Sequence, residues 1–339
     1  MPNVSVVIVT YGEFKYTSNC LRCLSSPDDH LIDEFIIIDT LPPPWKQDET
    51  QTELESLSQA NNKYKIHTLD PGTGSLAALN YGLTKCQKNN DVFITGNDIF
   101  MGEGGLQALI NCAYDIRWKD LVGFVGPYIA PEVCLDSVIS KDFRDQYFTQ
   151  WYDKFLSASS IKDVENLLDQ LYDGDFELFS RKFVQRHQGH VYDIIHGAAC
   201  YIRRDILNKF PTFEEPSDVD MWIRVEHAGL FNIMTMEAFA HHVVNGTTKQ
   251  HTAPHPLNDI HYGNNLLQRW EPDMEKEPRI FPFDVCGKKV PHRIWKKRMI
   301  PLQGNFDQLN WGGAISEEMG RWFMINQFGG FSREDAFPF

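Results

Sequence analysis

The sequence predicts an α/β fold: a mostly parallel sheet flanked by helices, with a helical insertion and an irregular C-terminal extension. Three observations point to it. The runs VSVVIVT (4–10), FIIID (35–39) and VFIT (92–95) are apolar and partly β-branched, without polar alternation, as suits strands covered on both faces. Segments of helical composition separate them from residue 4 to about residue 129, and strands alternating with helices imply a parallel sheet. Two of the runs end abruptly in carboxylate-bearing sequence, at Asp39 and at Gly96-Asn97-Asp98. That places both acids on the rim where open α/β sheets take their ligands.

Taken in order, residues 4–10 form a strand, and Tyr11-Gly12 breaks it before a helix that begins near 15–18. Residues 35–39 are a second buried strand. Pro42, Pro43 and Pro44 make 41–48 a loop, and 49–61 has helical composition. A short strand at 66–69 and a glycine-containing turn at 71–74 lead into SLAALNYGLTKC (75–86), whose alanines and leucines have helical spacing. The strand at 92 follows, and 120–128 reads as another strand and turn. From about 137 to 190 the chain becomes rich in aromatics and charges, and Val164, Leu167, Leu168 and Leu171 make a helical stripe. This is the insertion. Strand and helix character returns in HGAACYIRRDIL (196–207), in the acidic segment that precedes a helix through Trp222 and Arg224, and in MEAFAHHVVNGTT (236–248). One domain over 1–250 is expected, with 251–339 packing on it as a proline-broken extension.

Composition bounds the function. Of the 339 residues, 42% are hydrophobic and 23% charged, the balance of an ordinary globular protein. A net charge of -14 excludes a general nucleic-acid binder, which needs a basic surface. An anionic ligand must be met locally, by a metal ion, amide groups or a few cations. No stretch approaches a membrane span and the N-terminus has no signal-peptide plan, so a cytoplasmic location is the expectation. Seven scattered cysteines do not suggest a disulfide framework. Cys20 and Cys23 form a CxxC inside a predicted helix with apolar neighbours, which reads as buried thiols rather than a redox or zinc pair.

Each candidate site residue also has a plain structural reading. Asn97 and Asp98 are turn formers. Asp218 stands where a helix N-cap belongs, a role compatible with holding a base at a pocket rim, and Gly229 terminates that helix. Asp220 and Arg224 read as a pair spaced along it. Tyr147, Phe148, Trp151, Tyr152 and Phe155 could stack on a sugar, but aromatics at helical spacing more often form core. His251, His255 and His261 lie among prolines with no cysteine near, so no zinc site is expected. Gly72-Thr73-Gly74 lacks both a GxGxxG and a P-loop lysine. Lys288, Lys289, His292, Arg293, Lys296, Lys297 and Arg298 are the one basic cluster, and read first as a solvated face.

In order along the chain, VSVVIVTYG, FIIIDT, GTGSLAALNYGL, DVFITGNDIFM, HGAACYIRRDIL, SDVDMWIRVEHAG and AFAHHVVNGTT together resemble the family 2 glycosyltransferases of the GT-A fold. The resemblance covers about residues 2–248. It implies a Rossmann-like sheet, Mn2+ or Mg2+ as cofactor, and transfer of a sugar from a nucleotide donor to an acceptor, usually with inversion. It also implies roles for particular residues. Thr10 and Tyr11 would meet the nucleobase and ribose, and Asp39 would accept from the base, often uracil, so that a UDP-sugar donor is expected. Gly74, Ala78, Asn80 and Gly82 match a pattern beside the nucleotide. Gly96-Asn97-Asp98 matches the metal motif, with Asn97 at the nucleotide-sugar and Asp98 as the surviving metal carboxylate. Asp218 matches the general base, and His242 the late histidine that adds a metal or phosphate contact. The chain departs from the family at Gly96 in place of the motif's first acid, at Ser217 in place of the glutamate before the base, and at Gly12 where asparagine is common.

The chemistry suits those residue types. Charge builds on a departing diphosphate and a bound cation stabilises it, while a carboxylate in hydrogen-bond reach can take the proton of an attacking hydroxyl. Inversion follows from one displacement. A glycan acceptor is expected, and an oligomer is left open. Two competing readings remain. A nucleotidyltransferase would want a glycine-rich loop with arginine and lysine, which 11–15 lacks. A catalytically silent carbohydrate- or nucleotide-binding protein is left open by Gly96 and Ser217.

Overall fold

The computed structural model describes residues 2–25, 27–40, 49–70, 73–116, 119–131, 141–192, 198–213, 225, 228, 230–243, 280–285 and 288–291. The chain begins β1 (Val4–Thr10), α1 (Phe14–Ser25), β2 (Ile32–Asp39), α2 (Thr50–Ala60), β3 (Tyr64–Thr68), α3 (Ser75–Lys85), β4 (Asp91–Gly96) and β5 (Ile99–Met101). It continues with α4 (Gly105–Ala113) and β6 (Val122–Ala130), then the insertion helices α5 (Lys141–Gln146), α6 (Tyr152–Ser157), α7 (Ile161–Leu171) and α8 (Phe176–Arg186). Strands β7 (Val191–Tyr192) and β8 (Ala199–Ile202), helix α9 (Arg204–Lys209) and strand β9 (Phe231–His242) complete the main body. A separate antiparallel pair, β10 (Ile280–Val285) and β11 (Lys288–Pro291), lies in the C-terminal extension. Pro282 falls where the register of that pair is broken, between Ile280 and Asp284, the setting in which a ribbon tolerates proline.

The main sheet has the order β3-β2-β1-β4-β8-β6-β9-β5, with β7 on β9. Strands β3, β2, β1, β4, β6 and β9 run one way, and β8, β5 and β7 run the other. The expected α/β class and its mostly parallel sheet are observed. Of the antiparallel members, β5 follows β4 after a two-residue turn, which leaves no room for a crossover helix.

Residue parity along the strands builds two cores. Val4, Val6, Ile8, Phe35, Ile37 and Phe93 face one layer, with α1, α4 and the insertion. Val7, Ile36, Ile38, Val92 and Ile94 face the other, against α3 and α9. Adjacent side chains point to opposite faces of a strand, so an apolar run without alternation fills both layers. Helix α3 lies close on the sheet at Gly82, where a Cβ would stand 2.7 Å from Val7 Cγ1. This is a packing reason for glycine there. Among the described residues no helix is long and apolar enough to cross a membrane.

The insertion aromatics are core. Tyr147, Tyr152 and Phe155 are buried, and Phe148 and Trp151 pack against the same cluster while partly exposed. In α7 Val164 and Leu168 are buried, with Leu167 and Leu171 beside them. Cys20 and Cys23 are buried in α1 and form no disulfide; burial pushes the Cys23 thiol up to about 12 and raises that of Cys20 well above its ordinary value. Both stay protonated, as a structural thiol does.

Buried carboxylates pin the ends opposite the ligand rim. Asp91 accepts from the hydroxyls of Tyr114 (2.7 Å) and Tyr201 and from the Arg204 amide (2.7 Å). Glu34 accepts from the Ser5 hydroxyl (2.6 Å), the Gln87 amide (2.7 Å) and the Lys65 ammonium. Burial alone would raise the Glu34 carboxyl, but the Lys65, Ser5 and Gln87 bonds outweigh it and hold it below the ordinary value. A lowered native value favours the charged form in the fold. Its stabilisation is therefore present above the unfolded value of roughly 4.3 and is lost as pH falls through the native one. Urea unfolding of wild type and Glu34→Gln at neutral and acid pH should show a stability gap that narrows with acid; a constant gap would contradict this assignment.

Candidate active site

The carboxyl ends of β3, β2, β1 and β4 form one rim. In register, Asp39 lies beside Thr10 and Thr68, and Val9 beside Gly96. Chain order reverses at β1: β2 and β3 extend the sheet to one side and β4 to the other. Such a switch point opens the crevice in which open α/β sheets bind ligands. Asp39 ends β2 and Asp98 follows β4 in its turn, so they flank it from either side of β1, beyond strands about 10 Å apart at two sheet spacings.

At its centre is a buried polar cluster. The Asn97 amide Nδ2 donates to Thr10 Oγ1 and to Thr17 Oγ1, both at 3.1 Å, and those hydroxyls are 3.1 Å from each other. The Thr10 carbonyl accepts from the Thr40 amide and hydroxyl, both at 3.0 Å. Thr10 and Asn97 thus turn their side chains inward and lock the β1 end to the β4–β5 turn. Thr17, one turn into α1, completes the lock; no sequence motif singled it out, because its partners are 7 and 80 residues away.

The link from β1 to α1 is only residues 11–13. Gly12 and Glu13 both take positive φ, 74° and 60°, which is strained for glutamate. An ion pair of 2.6 Å from Lys15 to Glu13 and a bond from the Phe14 amide to Thr50 Oγ1 (3.0 Å) hold that conformation. Tyr11 sits half-buried at the rim, its phenol raised by burial.

Asp98 follows Asn97 in the turn. Its carbonyl accepts from the Val243 amide at 3.0 Å, and its Oδ1 lies 3.3 Å from His242 Nε2. Both side chains are largely covered, at 8% and 14% exposure, so the contact is shielded from bulk water. Residues 144 positions apart in the chain meet because β5 pairs with the end of β9, Ile99 opposite His242. Gly96 has a reason here: a Cβ would stand 3.0 Å from Asp98 Oδ1. A side chain at position 96 would therefore press on the Asp98 carboxylate.

Asp98 and His242 fit a divalent cation as a partial ligand set. Carboxylate oxygen suits Mg2+ or Mn2+, and an imidazole nitrogen tilts the pair toward Mn2+. No group of three or more His, Cys, Asp or Glu side chains forms a metal cluster among the described residues. The remaining positions would fall to phosphate oxygens and water.

The other expected residues have distinct places. Asp39 is buried at the end of β2. Gly74 caps α3 with φ -64°, and no described atom lies within 4 Å of where its Cβ would be. Ala78 is buried core. Asn80 binds the backbone of Phe213 twice, Nδ2 to the carbonyl at 2.7 Å and Oδ1 from the amide at 2.8 Å. That anchors the chain where it enters the acidic segment. Asp218 itself lies outside the described residues, as do Asp220, Arg224, the three zinc-candidate histidines and most of the basic cluster.

The strand order defines a doubly wound α/β sheet with a switch point at β1, the place where open sheets of this kind take ligands. No protein-family model and no curated protein sequence matches the chain. Among solved structures it is similar to the mannosyltransferase PcManGT from Pyrobaculum calidifontis in complex with GDP-Man and Mn2+. That match has 16% identity and a TM-score of 0.48, over 81% of this chain and 65% of that one. It is also similar to GalNAc-T7 with UDP, GalNAc and Mn2+, at 12% identity and a TM-score of 0.48, over 71% of this chain and 43% of that one. The chain thus spans less than two thirds of the length of either structure.

Thr17→Val keeps the side-chain shape and removes one acceptor from the buried Asn97 amide. It should lower unfolding free energy by about 1–3 kcal/mol, read as a lower urea midpoint with unchanged slope. An unchanged midpoint would show that the cluster does not lock the turn.

Proposed function

We propose that this chain is an inverting glycosyltransferase of the GT-A type, related to family 2, which moves a sugar from a nucleotide-sugar donor to a hydroxyl of a glycan or other acceptor. The observation that carries the reading is the shielded Asp98–His242 contact beside the switch point, with Asp39 on the same rim across β1. The donor is UDP-linked, as the match of Asp39 to a uracil-binding acid implies.

Each residue has a task. Asp39 accepts from the base and Tyr11 lies against it at the end of β1. Asp98 and His242 would hold Mn2+ or Mg2+, which when bound would supply charge stabilisation to the departing diphosphate. Asn97, Thr10 and Thr17 keep Asp98 in its turn, and Asn80 tethers the segment that carries Asp218. Asp218 takes the acceptor's proton as its oxygen attacks the anomeric carbon. One C–O bond forms as the bond to phosphate breaks, and the nucleoside diphosphate leaves from the opposite face. The three-residue β1–α1 link supports this reading over a nucleotidyltransferase, since it has no room for a glycine-rich triphosphate loop.

Two variants test the assignment. Calorimetry with UDP and with GDP should show nucleotide binding strengthened by Mn2+ in wild type and insensitive to Mn2+ in Asp98→Ala; equal metal dependence in both would remove Asp98 from the site. Asp218→Asn should keep nucleotide affinity while sugar transfer or slow donor hydrolysis falls by about 100-fold or more, the scale of a lost general base. A protein that binds the sugar nucleotide with Mn2+ but never turns it over, wild type included, would instead be a binding protein.

A further inference from the structure

His241 and His242 close β9, and a strand sends neighbouring side chains to opposite faces. His242 meets Asp98. His241 is fully buried on the other face, among rings of Phe100 and Phe155, stacked at 6.4 and 5.3 Å, and of Tyr147 and Tyr172, edge-on at 5.2 and 5.5 Å. Its Nδ1 lies 2.9 Å from the Tyr172 hydroxyl. An imidazole in such a slot carries a desolvation penalty that an aliphatic side chain would not. What it adds is direction, because a hydrogen bond fixes the ring's orientation where packing alone would not.

The next residue is fastened from the same side. Tyr147 donates its hydroxyl to the Val243 carbonyl at 3.2 Å, and the Val243 amide donates to the Asp98 carbonyl. Residues 241–243 are thus held one by one: His241 by Tyr172, His242 by Asp98, and Val243 by Tyr147 and Asp98 together. Tyr147 and Tyr172 both belong to the helical insertion. The insertion is tied in turn to α1, through the Tyr16 hydroxyl on the Phe155 carbonyl (2.7 Å), Asn19 Nδ2 on the Ile161 carbonyl (3.1 Å) and the Arg22–Glu165 ion pair (3.1 Å).

We infer that Tyr172 is a positioning residue, acting through buried His241 to aim His242 at Asp98, and that the helical insertion is the brace of the metal-holding pair. This rests on the reading of Asp98 and His242 as that pair. Partners that orient a ligand from behind change metal affinity by 10–100-fold when removed. Tyr172→Phe keeps the ring and its packing and deletes only the hydroxyl.

The experiment uses the full chain and titrates Mn2+ in the presence of UDP, and separately GDP, following free Mn2+ by electron paramagnetic resonance. Tyr172→Phe should weaken Mn2+ binding about tenfold while metal-free nucleotide affinity stays as in wild type. Tyr147→Phe, which frees the Val243 carbonyl, should weaken Mn2+ binding in the same direction and decides the matter if Tyr172→Phe fails to fold. Val164→Ala opens the insertion core at α7 while leaving the Tyr172 and Tyr147 hydroxyls in place, and serves as control, with a lower melting temperature and unchanged Mn2+ affinity. If wild type binds Mn2+ with the nucleotide and both tyrosine variants match it, or if Val164→Ala weakens Mn2+ as much as they do, the positioning role is overturned and the metal pair stands. If wild type shows no nucleotide-linked Mn2+ binding, the metal pair falls and the inference with it.

Discussion

The Asn97 amide, shared between the hydroxyls of Thr10 and Thr17, is the interaction on which the rest of the site depends. It ties together three elements that strand pairing and a three-residue link already bring near one another: the end of β1, the first turns of α1 and the β4–β5 turn. With Asn97 locked inward, the next residue must project from the turn toward β9, and that residue is Asp98. The lock lies in the core, where an unsatisfied amide would be costly, so the turn has little freedom to take another shape.

Packing around the turn follows from that geometry. Two apolar layers, one on each face of the sheet, leave only the rims for polar chemistry. The far rim is closed by Asp91 and Glu34, each saturated with hydrogen bonds. The near rim holds Asp39, Tyr11 and the Asp98–His242 pair. The insertion, whose aromatics at helical spacing read as core ahead of a sugar-stacking surface, does bury Tyr147, Tyr152 and Phe155, behind His241, and reinforces the near rim.

Sequence periodicity made most of the fold legible. Strand β1 was read with its observed bounds, and β2, β3, α2, α3 and β4 within a few residues, because apolar runs mark β1, β2 and β4, helical composition marks α2 and α3, and turn residues separate them. The β5 reversal and the full length of β9 were not legible. A three-residue strand has no periodicity, and β9 changes register against β6 between Pro127 and Tyr128, which no local pattern announces. In the site, Asp39 and Asp98 could be picked out as acids ending strands. Thr17 and Tyr172 could not, since each matters only through a partner far along the chain.

The amino-acid sequence by itself determined the α/β class, the rim on which the acids fall and the core character of the insertion, because these depend on periodicity and on what each side chain can bury. The tertiary structure alone decided that Thr10 and Asn97 bond to each other and that Asn80 grips Phe213, and its register sets His242, the histidine the resemblance singled out, directly against Asp98. Those outcomes turn on strand order and register. A shift of one residue in the pairing of β5 with β9 would exchange the two histidines between the ligand rim and the aromatic core.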